Sequence, residues 1–329
     1  MTLRRPSEQD NSSSNFVHDT GAVHRLDETI ADQAVALTSV LEPSIVSAMS
    51  VDIEDYYQVS AFDPYINRDD WSRYPSRVDI NTFRILDTFA VHDMKATFFV
   101  LGCVAARHPE IVKRIVAEGH ELACHGWNHQ RVTNLVPQEF QADICRAKDL
   151  LEHISGVAVN GYRAPSYSII DRTLWAHDVL YEAGFLYSSS IAPIKHDHYG
   201  IPDAPRFAYK VQKDGLIEIP ITTVSYRSKN YPCGGGGWFR LYPYMLSRKA
   251  LQAVIEKDLQ PCVFYFHPWE IDPEQPRIKG LDAKSHFRHY VGLSGMEGKL
   301  TRLFQDFRWG RMGDIYLPQS ESMKVGLSA

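Results

Sequence analysis

Four short motifs in this chain hold side chains able to bind a metal ion and to move protons. Ser50-Val51-Asp52-Ile53-Glu54-Asp55 packs three carboxylates into four residues. They repel one another unless a cation or a proton shares the site. In an extended strand Asp52 and Glu54 face one side and Asp55 the other. His125 and His129 stand four apart in His125-Gly126-Trp127-Asn128-His129. On one helical turn that spacing aims both imidazoles at one zinc ion, although the glutamate of an H-E-x-x-H motif is missing. Gly161-Tyr162-Arg163-Ala164-Pro165-Ser166-Tyr167 offers an arginine that can grip a carboxylate with two hydrogen bonds. Pro165 would stiffen that turn and fix the direction of its backbone amides. The apolar run before His267-Pro268-Trp269-Glu270 ends on an imidazole, a group that titrates near neutral pH and serves as a general acid or base. Each motif also has an ordinary structural reading: a solvated acidic turn, surface histidines, a proline turn, a packed histidine.

The elements that must position these motifs are short apolar runs alternating with helical patterns. Strands are expected at 45–53, 96–101, 121–124, 185–187, 217–223 and 262–266, with an apolar stretch ending at Tyr162. Helices are expected at 78–92, 110–118, 137–154, 172–183 and 243–257. Gly119 and Gly156 mark two helix ends, and Pro137 marks a start. Strands alternating with helices imply a parallel sheet. About seven such units predict an irregular (β/α)7-type α/β barrel in one catalytic domain, 44–317. A flexible arm at 1–43 and a loose tail at 318–329 flank it. Each motif then falls at the C-terminal end of a strand, where barrels build their sites.

Composition narrows the function classes. The 329 residues carry 35 Lys+Arg against 40 Asp+Glu, a formal charge of −5. That balance lacks the basic footprint of a nucleic-acid binder. No run reaches the ~18 apolar residues of a membrane span. Basic residues near the start are not followed by an apolar core, so no secretory signal is read. The expectation is a cytoplasmic protein, working at the inner membrane face if its substrate is lipid-linked. Five scattered cysteines without a CxxC pair point to neither a disulfide framework nor a thiolate zinc site. No G-x-G-x-x-G follows an early strand, which removes the usual dinucleotide signature.

Taken together, the order carboxylates, histidine pair, Arg-x-Pro turn and final histidine resembles the polysaccharide deacetylase family. This is carbohydrate esterase family 4, or the NodB homology domain, and the resemblance covers about residues 45 to 269. Val51-Asp52-Ile53-Glu54-Asp55-Tyr56, Arg163-Ala164-Pro165-Ser166, the Gly234 to Gly237 run with Trp238-Phe239-Arg240, and His267-Pro268-Trp269-Glu270 resemble one subgroup. That subgroup is associated with bacterial exopolysaccharide and exosortase gene clusters.

The resemblance implies removal of the N-acetyl group from an amino sugar, with release of acetate, by one divalent metal, usually Zn2+. Asp52 takes the position of the base. His125 and His129 match the histidine ligands, and the carboxylate ligand is Glu54, with Asp55 as second choice. Arg163 matches the arginine that orients the base, Ser166 stands where a backbone N–H binds the oxyanion, and His267 matches the final acid. The aspartate that usually tunes that histidine has no assigned counterpart. Pro165, Tyr167, Trp238, Phe239 and Trp269 are expected along the substrate, and Tyr56 and Tyr57 offer further rings for stacking on sugars. Core packing is the other reading of these aromatics. The glycine run is expected as a tight or flexible loop by the groove, or as an ordinary surface loop. The partner is an N-acetylated oligo- or polysaccharide, a lipid-linked precursor included. Two other readings compete: a cyclic amidohydrolase of the allantoinase type, and a carbohydrate binder without turnover.

Overall fold

In the computed structural model, residues 45–318 are described apart from 198 and 212–214. The arm expected at 1–43 and, but for Pro318, the expected tail lie outside the described residues. The first strand, β1 (Ser47–Ile53), is buried along its whole length. Burial on both faces is what a parallel strand covered by helices shows, even though Ser47, Ser50 and Asp52 interrupt its apolar residues. It is followed by β2 (Thr97–Val100), β3 (Glu121–Cys124), β4 (Gly161–Tyr162), β5 (Tyr187–Ser188), β6 (Tyr209–Lys210) and β7 (Ile217–Glu218). A separate antiparallel hairpin, β8 (Thr223–Tyr226) and β9 (Lys229–Pro232), precedes β10 (Val263–Phe266) and β11 (Trp309–Gly310). The large sheet has the order β10-β1-β2-β3-β4-β5-β7-β6, with β11 beside β1. Every pairing in it is parallel except β6 with β7.

The sheet curls into the irregular barrel expected from the alternation, but strand pairing does not close it. The run at Gly234–Gly236 fills the gap between β7 and β10. Tyr265 N–H donates to Gly234 O at 2.8 Å, and Gly235 bridges Tyr265 in parallel. Val263 N–H donates to Thr222 Oγ1 at 2.6 Å. Gly235 has φ 118°, and a Cβ there would sit 1.9 Å from Tyr265 O. The glycine run is therefore a tight, buried seam and not a surface loop, and only its last member, Gly237, is exposed. Gly235→Ala combines a strained φ with a backbone clash. It is expected to cost about 3 kcal/mol or more in urea unfolding, each effect being worth roughly 1–3 kcal/mol.

Helices cover the sheet. Helix α1 (Val78–Val91) buries Val78, Asn81, Thr82, Ile85, Leu86 and Phe89, the three-four spacing of an amphipathic stripe. Helices α2 (Gly102–Arg107), α3 (Pro109–Ala117) and α4 (Pro137–Ser155) follow; α4 starts on Pro137 and ends at Gly156 in the left-handed region. The helix expected at 172–183 is a 3-10 turn (Asp171–Thr173) followed by α5 (Ala176–Glu182). The one expected at 243–257 is α7 (Tyr244–Ala253) running into a π-helical turn, with α6 (Gly236–Leu241) before it. Helices α8 (Ala283–Tyr290), α9 (Met296–Asp306) and α10 (Met312–Tyr316) were not expected. Met312, fully buried, places its sulfur 3.9 Å from Arg163 Nη2.

Candidate active site and metal centre

Four strand ends deliver the four motifs to one place. Asp52 is the penultimate residue of β1, His125 follows β3, Arg163 follows β4 and His267 follows β10. All lie at C-terminal ends of parallel strands, as expected for a barrel site. Arg163 is fully buried, with its guanidinium 4.1 Å from the Phe99 ring. Its Nη1 donates to Asp52 Oδ1 at 2.6 Å and to Ser50 Oγ at 2.8 Å, while Nε and Nη2 reach Ser189 O and Oγ. One carboxylate oxygen of Asp52 is thus held, and the other, Oδ2, lies 4.0 Å from His267 Nε2.

Glu54, His125 and His129 are the one group of three or more metal-capable side chains found among the described residues. Their ligating atoms all lie within 4.8 Å of one another, and all three residues are buried. The histidines do not meet on a helical turn. The segment after β3 is a loop in which Gly126 (φ 77°) and His129 (φ 52°) take left-handed conformations. Trp127 N–H, bonded to Asp143 Oδ2 at 2.9 Å, fixes that loop, and the two imidazoles end 5.4 Å apart. His125 Nδ1 pairs with Arg163 O at 2.8 Å, which leaves Nε2 for another partner. Burial pushes His125 down to about 4, so it is neutral and keeps a free lone pair at neutral pH.

The donor set fits a divalent cation. Glu54 Oε2 lies 2.7 Å from His129 Nε2 without hydrogen-bond alignment, and Oε2 and His129 Nδ1 are both buried without a hydrogen-bond partner. Buried polar atoms are rarely left so. Two imidazoles and a carboxylate are a common zinc donor set, with a position left for water or substrate. Burial alone would raise the Glu54 pKa, but attraction to the neighbouring imidazoles, His129 and His267 foremost, holds it well below the usual carboxylate range. Trp269 Nε1–H donates to Glu54 Oε1 at 3.0 Å and aims the carboxylate.

Asp55, the second choice as ligand, is turned away. Its carboxylate accepts from Ser76 Oγ, Arg77 N–H, Tyr56 N–H and Val78 N–H, so it ties down the start of α1. No oxygen of Asp55 joins the cluster.

The partner of His267, unassigned from sequence, is Glu270. His267 Nδ1 lies 2.5 Å from Glu270 Oε1, and Glu270 Oε2 accepts from Arg240 Nε at 2.8 Å. Burial disfavours the charged imidazole, but Glu54, Glu270 and Asp52 outweigh it and lift His267 to about 9. Arg240 also donates to the carbonyls of His289, Val291 and Arg288, so one guanidinium ties Glu270 to the end of α8. Glu270 follows His267 by three residues on a 3-10 turn, a spacing visible in sequence; Arg240 lies too far along the chain to be paired with it from spacing.

These groups floor an open cavity of about 930 Å³. Ser166, Tyr167, Trp238 and Trp269 line it; Pro165 and Phe239 do not. Ser166 (φ 55°) and Tyr167 (φ 50°) are consecutive left-handed residues, and Tyr167 N–H is taken by Ala164 O. Phe239 is packed edge-on against Phe264 and is 2% exposed, so it presents no face to a ligand. Tyr56 and Tyr57 are likewise buried, in a cluster behind the wall. Trp269 is stacked between His267 and His289 at 5.2 and 4.2 Å, which makes it a support for the site more than a sugar platform.

Comparison with known proteins agrees with this architecture. Residues 66–185 match the polysaccharide deacetylase family, and residues 189–317 match a domain described only as of unknown function, DUF3473. The boundary between them is not a structural one, since β10, His267 and Glu270 from the second region complete the barrel and site of the first. Motifs, fold and the match over residues 66–185 agree in their likeness to the polysaccharide deacetylase family. It is 36% identical over 96 residues to a peptidoglycan-N-acetylglucosamine deacetylase of Bacillus cereus, covering 29% of this chain and 35% of that protein. It is 33% identical over 96 residues to a chitooligosaccharide deacetylase of Bradyrhizobium, covering 29% and 42%. The chain thus spans well under half the length of these relatives. A solved structure from Mycobacterium smegmatis bearing the same family designation shares the fold. It has a TM-score of 0.53 at 19% identity over 84% of this chain and 90% of that one.

Proposed function

We propose that this protein is a metal-dependent deacetylase that hydrolyses the N-acetyl group of an amino sugar in a saccharide chain. The observation that carries the reading is the convergence, in one open cavity, of Asp52 gripped by Arg163, the Glu54–His125–His129 cluster and His267 anchored on Glu270. A divalent ion at that cluster, Zn2+ in this proposal, would polarise the acetyl carbonyl and acidify a water. Asp52 Oδ2, left open by the Arg163 grip on Oδ1, accepts the proton of the attacking water. Arg163, itself held by Ser50 Oγ, keeps the carboxylate from rotating away from that position. The backbone N–H of Ser166 is the donor proposed for the developing oxyanion, a contact that is often worth about 3–4 kcal/mol. His267 Nε2 carries a proton at neutral pH and gives it to the leaving amine, with Nδ1 anchored on Glu270. Amine and acetate are the products.

Among the ring faces, those of Tyr167 and Trp238 on the cavity wall are proposed to contact the sugar, while Trp269, stacked on both sides, supports the site from behind. An exopolysaccharide or its lipid-linked precursor, met at the inner membrane face, is the finer reading and rests on the motif resemblance to the exopolysaccharide-associated subgroup. No helix among the described residues is long and apolar enough to cross a membrane. A cavity of about 930 Å³ open to solvent favours a saccharide chain over the small closed pocket that a cyclic amide would need. Acetate release from N-acetylglucosamine oligomers, beside allantoin hydrolysis by the same metal-loaded sample, tests the substrate class. Acetate without allantoin turnover is expected; the opposite pattern overturns the assignment.

A further inference from the structure

Large apolar side chains on the cavity wall and on the helix that follows it in sequence are turned to solvent. Leu241, Phe287 and Val291 line the cavity, and Leu241 and Phe287 are 43% and 55% exposed. The carbonyls of Arg288, His289 and Val291 are bound by Arg240, and those of Phe239, Arg240 and Tyr242 by Lys299 Nζ. The end of α8 and the end of α6 are thereby locked side by side. Immediately after α6, helix α7 buries Tyr244, Ser247 and Leu251 and turns Met245 and Leu246 outward, each 54% exposed. Exposed cations border this surface. Lys249 lies one turn beyond Met245, and Lys284 and Arg288 stand on α8, where Asp197 faces both at 3.3 and 3.9 Å. Large apolar side chains turned to solvent beside a groove, with lysine and arginine at the rim, mark an interaction site.

We propose that Leu241, Met245, Leu246 and Phe287 form a docking surface for an anionic lipid bilayer, placing the cavity mouth on the membrane. The apolar side chains would enter the headgroup and acyl boundary, and Lys249, Lys284 and Arg288 would meet acidic headgroups. The single Asp197 carboxylate faces two of those cations in exposed pairs of the kind worth little in water, so headgroups compete readily for them. Leu241 and Phe287 belong to both the proposed surface and the cavity lining, so docking there would bring an amino sugar carried on a lipid to the site. That purpose rests on the proposed deacetylase activity, whereas the docking itself is read without turnover.

Co-sedimentation of the full chain with vesicles of phosphatidylcholine, with and without phosphatidylglycerol, is the test. The protein is expected to pellet with the anionic vesicles and to be released by raised salt. A Met245→Ser/Leu246→Ser variant is expected to partition at least tenfold less, while its acetate release from soluble oligomers is unchanged. Protein remaining in the supernatant, or a variant that pellets as well as the unaltered chain, overturns the inference. So does a dimer in solution that the variant dissociates, since a second copy would then cover the patch. Acetate release without vesicle binding rejects the docking surface alone; vesicle binding without turnover of any acetylated sugar rejects the deacetylase reading alone.

Discussion

Asp52→Asn is expected to bind a divalent ion as the unaltered protein does and yet to release acetate about 10²–10⁴-fold more slowly, the range a positioned general base supplies. The reason lies in how the two oxygens are used. Oδ1 is held by Arg163, and Oδ2 faces the cavity near His267. An amide keeps the shape but accepts no proton from water at Oδ2, so kcat falls. Asp52 is not a member of the Glu54–His125–His129 group, so metal content is expected to stay. Steady-state acetate release and metal analysis of the same sample separate the two effects. A variant that turns over at the unaltered rate would remove Asp52 from the role of base.

Glu54→Gln gives the second large effect, with the opposite signature. Glu54 is the only carboxylate among the three clustered groups, and its Oε2 has no hydrogen-bond partner. Replacing it with an amide places an N–H2 or a neutral oxygen where a charged ligand was, so the variant is expected to lose stoichiometric metal on dialysis and acetate release with it. The fold has little reason to fail. A buried carboxylate surrounded by His129, His267 and His125 is exchanged for a neutral group of the same size, and Trp269 Nε1–H can still donate to an amide oxygen. Metal content and thermal unfolding of the variant measure these two outcomes. Retained metal at full stoichiometry would show that Glu54 is no ligand.

Much of this site was legible because its motifs are local and its scaffold is repetitive. Asp52, His125, Arg163 and His267 each follow an apolar run by one or two residues, and parallel strands carry such positions to one end of a barrel. Strand alternation also placed Glu54 and Asp55 on opposite faces, and the Asp55 carboxylate is consumed at the start of α1. The histidine pair was found by a spacing whose helical rationale does not apply: Gly126 and His129 bring the rings together through left-handed backbone. Spacing counts residues and does not see φ.

Other features were hidden because they depend on tertiary neighbours. Arg240 reaches Glu270 only because the glycine seam folds α6 against β10. Phe239 and Trp238 are adjacent in sequence, yet one is core and the other lines the cavity, as helix phase alone decides. Helices α8 and α9 carry so many polar and charged residues that their buried stripes are short, and the strand that follows them, β11, is only two residues long.

The central claim is that a metal held by Glu54, His125 and His129 works with Asp52 to remove an acetyl group. Its most direct test is acetate release from N-acetylglucosamine oligomers by chelated protein titrated with Zn2+, with Asp52→Asn run in parallel. The account predicts silence without metal, activity saturating at one equivalent, and a variant that takes up the same equivalent but stays nearly silent. Acetate release that survives full chelation, or that Asp52→Asn leaves undiminished, would contradict it.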